Sequence, residues 1–173
     1  MAVLPIRIYG DPALRQRAKE IKEIDSGAIR LAQDMFDTLR QASGLGLAAN
    51  QVGCLQRIFV VDLSKVIPES KPVVLLNPVM LKSEGEQVGE EGCLSIPGIY
   101  EDVPRFKKVK FSAQDLSGKE FSLEASDLLA RVMQHELDHL DGILFLDRLS
   151  EVIRTSLAPK LKNLHGVPAR GGY

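Results

Sequence analysis

The chain is 173 residues long, 45% apolar and 26% charged, with a formal net charge of −1. That size suits one domain around one buried core, and the near-neutral balance excludes a global pull toward nucleic acid or membrane surfaces. Two cysteines and the lack of an 18-residue apolar run exclude a disulfide-dense secreted scaffold and a spanning helix.

In chain order, the opening stretch MAVLPIRIYGDPAL has no apolar core of the secretory kind and carries Pro5 and Asp11. The expected compartment is the cytoplasm, with a processed organellar form left open. A helix is expected from Asp25 to Ala42. Asp25 or Ser26 caps it, and Ile29, Ala32, Phe36 and Leu39 form one apolar stripe. Gly44 ends it. In the run from Gly44 to Ala49, two glycines weaken any regular element and suit close backbone approach.

Strands are expected over Arg57 to Leu63, Pro72 to Met80 and Lys107 to Ala113. The pattern continues at Phe121 and Leu123 after a turn at Ser117-Gly118. Gly85 and Gly89 should break the segment before Cys93. A second helix runs from a Ser126 cap to about Leu140, stopped by Asp141-Gly142. A third starts near Ser150 with Ile153, Leu157, Leu161 and Leu164 on one stripe, and Pro159 should kink or split it. Residues 166–173 read as a mobile tail. Helix, strands, helix, helix without βαβ alternation predicts an α+β fold in one domain over 1–173. Its sheets pack around the second helix, and a C-terminal helix follows.

The sharpest chemical signal is Gln134-His135-Glu136-Leu137-Asp138-His139. Two histidines four apart share one face of a helix and can converge on one divalent cation. Glu136 flanks the ion without binding it, placed to take a proton from water. The competing reading is two ordinary buried histidines, but two of the three histidines in the chain fall in this motif. A catalytic ion wants a third protein ligand. Spacing leaves Cys54, Cys93, His165 and a carboxylate such as Glu151 open, the downstream choices being the zincin-type protease alternative. A closed structural site with Cys54 as fourth ligand is another.

Three segments together resemble the peptide deformylase family. They are Gly44-Leu45-Gly46-Leu47-Ala48-Ala49-Asn50-Gln51, Glu91-Gly92-Cys93-Leu94-Ser95 and the His135 motif, in this order and spacing. The resemblance runs from about Tyr9 to Leu149. It implies a small α+β enzyme that removes the formyl group from N-formylmethionyl nascent polypeptides. It implies Cys93, His135 and His139 as ligands of Fe²⁺, with Zn²⁺, Ni²⁺ or Co²⁺ as substitutes, and Glu136 as general acid/base. Gln51 and the Leu94 N–H would hold the formyl oxygen. Leu45, Gly46 and Gly92 would pair with the substrate backbone, and Leu128 and Val132 would line the methionine pocket, although plain core is the competing reading for Val132. A transient ribosome contact is compatible with this reading, and no membrane or specific nucleic-acid partner is expected. Tyr100, Glu101, Pro159 and Arg131 depart from the familiar bacterial pattern, Arg131 standing where an apolar residue is expected.

Overall fold

A computed structural model describes residues 2–165, so the tail expected at 166–173 lies outside the described residues. Helix α1 spans Ser26–Ala42, and Asp25 caps it by accepting the Ala28 N–H at 2.9 Å. Its buried face comprises Ala28, Ala32, Met35, Thr38 and Leu39, while Ile29 and Phe36 are half-buried. The apolar stripe is therefore turned by one position. Thr38 can sit inside because its hydroxyl donates to Asp34 O at 2.6 Å and accepts the Leu4 N–H at 2.9 Å.

The strands are β1 (Gly46–Ala48), β2 (Ile58–Val61), β3 (Val73–Glu84), β4 (Gln87–Cys93), β5 (Ile96–Arg105), β6 (Lys108–Gln114) and β7 (Glu120–Ser126). They form an antiparallel sheet in the order β1-β2-β3-β6-β7 and a separate β4-β5 ribbon. All the expected strands are present, and alternation on β6 buries Val109, Phe111 and Ala113. Two expectations need correction. The glycine-rich run contributes edge strand β1, with Gly46 opposite Val61, because pairing to β2 outweighs the weak propensity of glycine. Gly85 does turn the chain, at φ 66, but Gly89 stays inside β4 opposite Val103.

Helix α2 (Asp127–Leu140) is buried along most of its length and packs across β1, β2, β6 and β7. Ser126 occupies the cap position without making the expected side-chain bond. The start is fixed by backbone instead. Asp127 adopts φ 51, its N–H donates to Lys107 O at 2.9 Å, and its carbonyl accepts from Gln87 Nε2 at 2.9 Å. Helix α3 (Glu151–Lys162) buries Leu157 and Leu161. It is not split at Pro159: that residue lies in the last turn, on the exposed side, and Thr155, whose carbonyl its missing N–H would have met, is exposed as well.

Among the described residues three apolar clusters fill the interior. One joins α2 to the large sheet through Phe59, Leu75, Phe111 and Met133. A second holds α1 through Met35, Leu39, Ile58 and Leu76. A third packs β5 against α3 through Ile96, Val103, Phe145 and Leu157. Each such side chain contributes about 1.5–3 kcal/mol on full burial. Among the described residues no helix is long and apolar enough to cross a membrane.

Candidate metal centre

Helix α2 is held in the large-sheet cluster, and Cys93 packs against the cluster under α3. His135 and His139 lie one turn apart on α2, with Nε2 atoms 3.2 Å from each other. Cys93 ends β4 at the tight turn into β5, after a register shift that follows Glu91, and its Sγ is 3.3 Å from His139 Nε2. The three donor atoms all lie within 4.8 Å of one another. A cation with bonds of about 2.0–2.3 Å to nitrogen and sulfur needs only a small outward shift of these atoms. The donor set, one thiolate and two imidazoles, suits a borderline divalent ion.

The other candidate ligands lie elsewhere. Cys54 packs in the α1 cluster, where burial pushes its thiol up. His165 stacks edge-on against Tyr9 with centroids 5.2 Å apart. Glu151 opens α3 in solvent. Among the described residues the only His/Cys/Asp/Glu group able to hold an ion is Cys93, His135 and His139. The third ligand thus comes from upstream, against the zincin pattern, and Cys54 supplies no fourth ligand for a closed structural site.

Around the ligands is a buried charge array that the sequence did not reveal. Glu91 Oε2 faces His135 Nδ1 at 2.9 Å, which fixes the ring so that Nε2 points at Cys93 and His139. Arg105 grips Glu91 with two bonds of 2.8 and 3.0 Å, and Arg131 Nη1 adds a third at 2.9 Å. Burial pushes the Glu91 carboxyl up, but His135 and Arg105 outweigh it and hold the group down to about 2. Arg131 is therefore no misfit on the metal helix. Its Nη1 also donates to Val103 O at 2.9 Å, and a Cβ at Gly89 would lie 3.3 Å from its Nη2. Gly89 gives the guanidinium its room. His135 is held above its ordinary value, because bonds to Cys93 and Glu91 overcome the downward push of burial. His139 is held well below by burial and by the charge on His135.

Glu136 is 2% exposed, and its Oε2 is buried without a hydrogen-bond partner. Burial pushes its carboxyl up to about 7. A carboxylate so placed can accept and return a proton near neutral pH. Gly46 makes room for it: a Cβ there would overlap Glu136 Oε1. Gln51 is 1% exposed on a short 3-10 turn, Ala49–Val52. Its Oε1 accepts the Ala48 N–H at 2.9 Å, so its amino group must face the other way. That group donates to Ser95 Oγ at 3.2 Å and Cys93 Sγ at 3.5 Å.

A cavity of about 490 Å³ opens onto this floor. Leu45, Gly46, Gln51, Gly92, Cys93, Leu94, Leu128, Val132, His135 and Glu136 all line it, so the three sequence segments converge here. His139 lies behind, 1% exposed. Val132 belongs to the α2 core cluster as well as to the cavity wall. Tyr100 and Arg131, which depart from the familiar bacterial pattern, also line the cavity.

A family model described as Polypeptide deformylase matches residues 3–155. The chain is 48% identical over 164 residues to a peptide deformylase of Alkalilimnicola ehrlichii, covering 95% of this chain and 92% of that one. It is 51% identical over 155 residues to one of Thermomicrobium roseum, covering 87% and 88%. A solved peptide deformylase from Legionella pneumophila superposes with a TM-score of 0.87 at 41% identity, covering 94% and 95%. One from Thermus thermophilus gives 0.86 at 44%, covering 94% and 97%.

Proposed function

The chain belongs to the polypeptide deformylase family, and on that premise we propose that it hydrolyses the formyl amide of N-terminal formylmethionine on newly made polypeptides. The observation that carries the chemistry is the partnerless Oε2 of buried Glu136 beside the donors Cys93, His135 and His139 at the cavity floor. In this reading residues 1–173 act as one catalytic domain. The resident ion is Fe²⁺, and Zn²⁺, Ni²⁺ or Co²⁺ can replace it. The ion supplies Lewis acidity and brings the pKa of water toward about 7.

Glu136 takes a proton from the attacking water as the oxygen adds to the formyl carbon. Negative charge gathers on the formyl oxygen, and the inward-facing Gln51 amino group with the Leu94 N–H holds it. The C–N bond breaks while Glu136 passes its proton to the leaving nitrogen. Formate and a free methionine amine result. Among the described residues strand β1 pairs with β2 alone, which supports backbone pairing of Leu45 and Gly46 with an extended substrate, and Gly92 lines the same cavity. Such pairing is indifferent to sequence, as an enzyme of many nascent chains requires. Leu128 and Val132 give the methionine side chain an apolar wall. The proposed setting is the bacterial cytoplasm, with transient contact to the ribosome.

The test is formate release from formyl-Met-Ala-Ser by metal-loaded protein, beside an internally quenched peptide as protease control. Glu136→Gln should keep its metal and lose about 10²–10⁴-fold in turnover. Cleavage of the internal peptide, or near-normal turnover by the variant, would overturn the reading.

A further inference from the structure

The array that fixes His135 does not stop at Glu91. Arg105 Nη1 reaches past it to Asp138 Oδ2 at 2.5 Å, and Asp138 lies on α2 between the two histidine ligands. Arg148 then closes the chain with a fork: Nη2 donates to Asp138 Oδ1 at 2.6 Å and Nε donates to Oδ2 at 3.0 Å. Arg105, Glu91 and Asp138 have side chains 3%, 4% and 10% exposed, whereas Arg148 is 45% exposed. Arg148 ends a short 3-10 turn, Phe145–Arg148, ahead of α3. It is the solvent end of an unbroken path, Arg148–Asp138–Arg105–Glu91–His135, that enters the metal centre.

We propose that Arg148 is a positioning residue for the metal centre, acting through the Asp138–Arg105–Glu91 path on His135; the inference rests on the deformylase reading above. The physical reason lies in how Arg105 divides its donors. Nε and Nη2 hold Glu91 and Nη1 holds Asp138, so one rigid guanidinium plane is set by two carboxylates. The fork from Arg148 fixes the rotation of Asp138. Without it Asp138 Oδ1 loses a charged donor in a nearly dry setting, and the carboxylate turns toward Arg105. Arg105 follows, and its hold on Glu91 loosens. Glu91 then orients His135 less well, which reaches the ligand set. A bidentate fork is required for this, so charge alone is not enough.

The experiment compares wild type, Arg148→Gln and Arg148→Lys by three measurements. These are Zn²⁺ affinity by chelator competition, the visible absorption of the Co²⁺-loaded protein, and kcat and KM on formyl-Met-Ala-Ser. Outer partners of metal ligands typically affect affinity or activity about 10–100-fold, and a more distant residue belongs at the lower end. Arg148→Gln should weaken Zn²⁺ binding about 10-fold, shift the Co²⁺ bands and lower kcat about 10-fold with little change in KM. Arg148→Lys keeps the charge and should still shift the Co²⁺ bands. It carries the test alone if the glutamine variant does not fold. Wild-type affinity and wild-type Co²⁺ bands in the folded variants would overturn the proposal, even if the melting temperature falls. Absence of deformylation by the wild type, with the metal effects present, would instead fault the deformylase reading.

Discussion

Gly46→Ala tests how tightly the cavity wall fixes the proton carrier. Gly46 is not at positive φ, so alanine fits the backbone of β1 and the outcome is decided by space alone. The added Cβ would lie 2.8 Å from both Cγ and Cδ of Glu136 and overlap Oε1. Carbon atoms pack best at about 3.5–4.0 Å, so the carboxylate must retreat by about 0.7 Å or more. It is 2% exposed, in an interior with little slack. A shift approaching 1 Å at a reacting group costs on the order of 10²-fold in rate. The overpacking should lower stability by about 1–3 kcal/mol. For a chain of this size that is a fall of roughly 3–10 °C in melting temperature. Cys93, His135 and His139 are untouched, so metal content should stay at the wild-type level. The assay is formate release with metal analysis and a melt on one preparation. Full metal content with kcat within about threefold of wild type would refute the argument, because Glu136 would then tolerate displacement without catalytic loss.

Alanine in place of Cys93, His135 or His139 should abolish stoichiometric metal binding, while Cys54→Ala should retain it; metal analysis after gel filtration decides. Val132→Phe should lower the preference for formyl-Met over formyl-Ala substrates by about 10-fold, since steric conflict in an apolar pocket is worth ~1–3 kcal/mol. Because Val132 also touches the core, its melt is recorded too, and a lower melting temperature with an unchanged substrate ratio would remove it from the pocket. Asp62 offers a pH prediction. Burial pushes its carboxyl up, but Ser64, through N–H at 3.1 Å and hydroxyl at 2.6 Å, and Arg40 at 3.2 Å hold it below its ordinary 3.8. Its contribution is therefore complete above that ordinary value and is lost as pH falls through the depressed folded value. Asp62→Asn should melt about 3 °C lower at pH 7, with the gap closing in acid; a gap constant with pH would contradict the assignment.

The helices were legible because apolar spacing and caps are local. The His135 motif was legible for the same reason: its ligands are one helical turn apart. Cys93 was one of several candidates by spacing, and only resemblance singled it out, because no local rule links it to His139, 46 residues on. The β4-β5 ribbon was obscured by Gly89, a breaker in isolation that serves here to admit Arg131. Glu91, Arg105, Asp138 and Arg148 form pairs across 14, 33 and 10 residues. Each reads alone as a solvated charge, and only the fold brings them into one buried array. Glu91 carried one usable hint, its place two residues before a candidate thiolate.

The ligands of the proposed ion come from different packing units. Cys93 touches the cluster under α3, while the helix bearing both histidines is anchored in the cluster over the large sheet. An ion between them is a clasp as well as a reagent. It closes the long loop from the ribbon to α2, and it rewards the folded chain over the unfolded one by about 4 kcal/mol when free ion exceeds its Kd a thousandfold. During synthesis the clasp cannot shut until residue 139 has left the ribosome, so Cys93 waits as an unclaimed thiol through some 46 residues of further synthesis. For that interval the chain depends on a reducing medium for the thiol its centre requires.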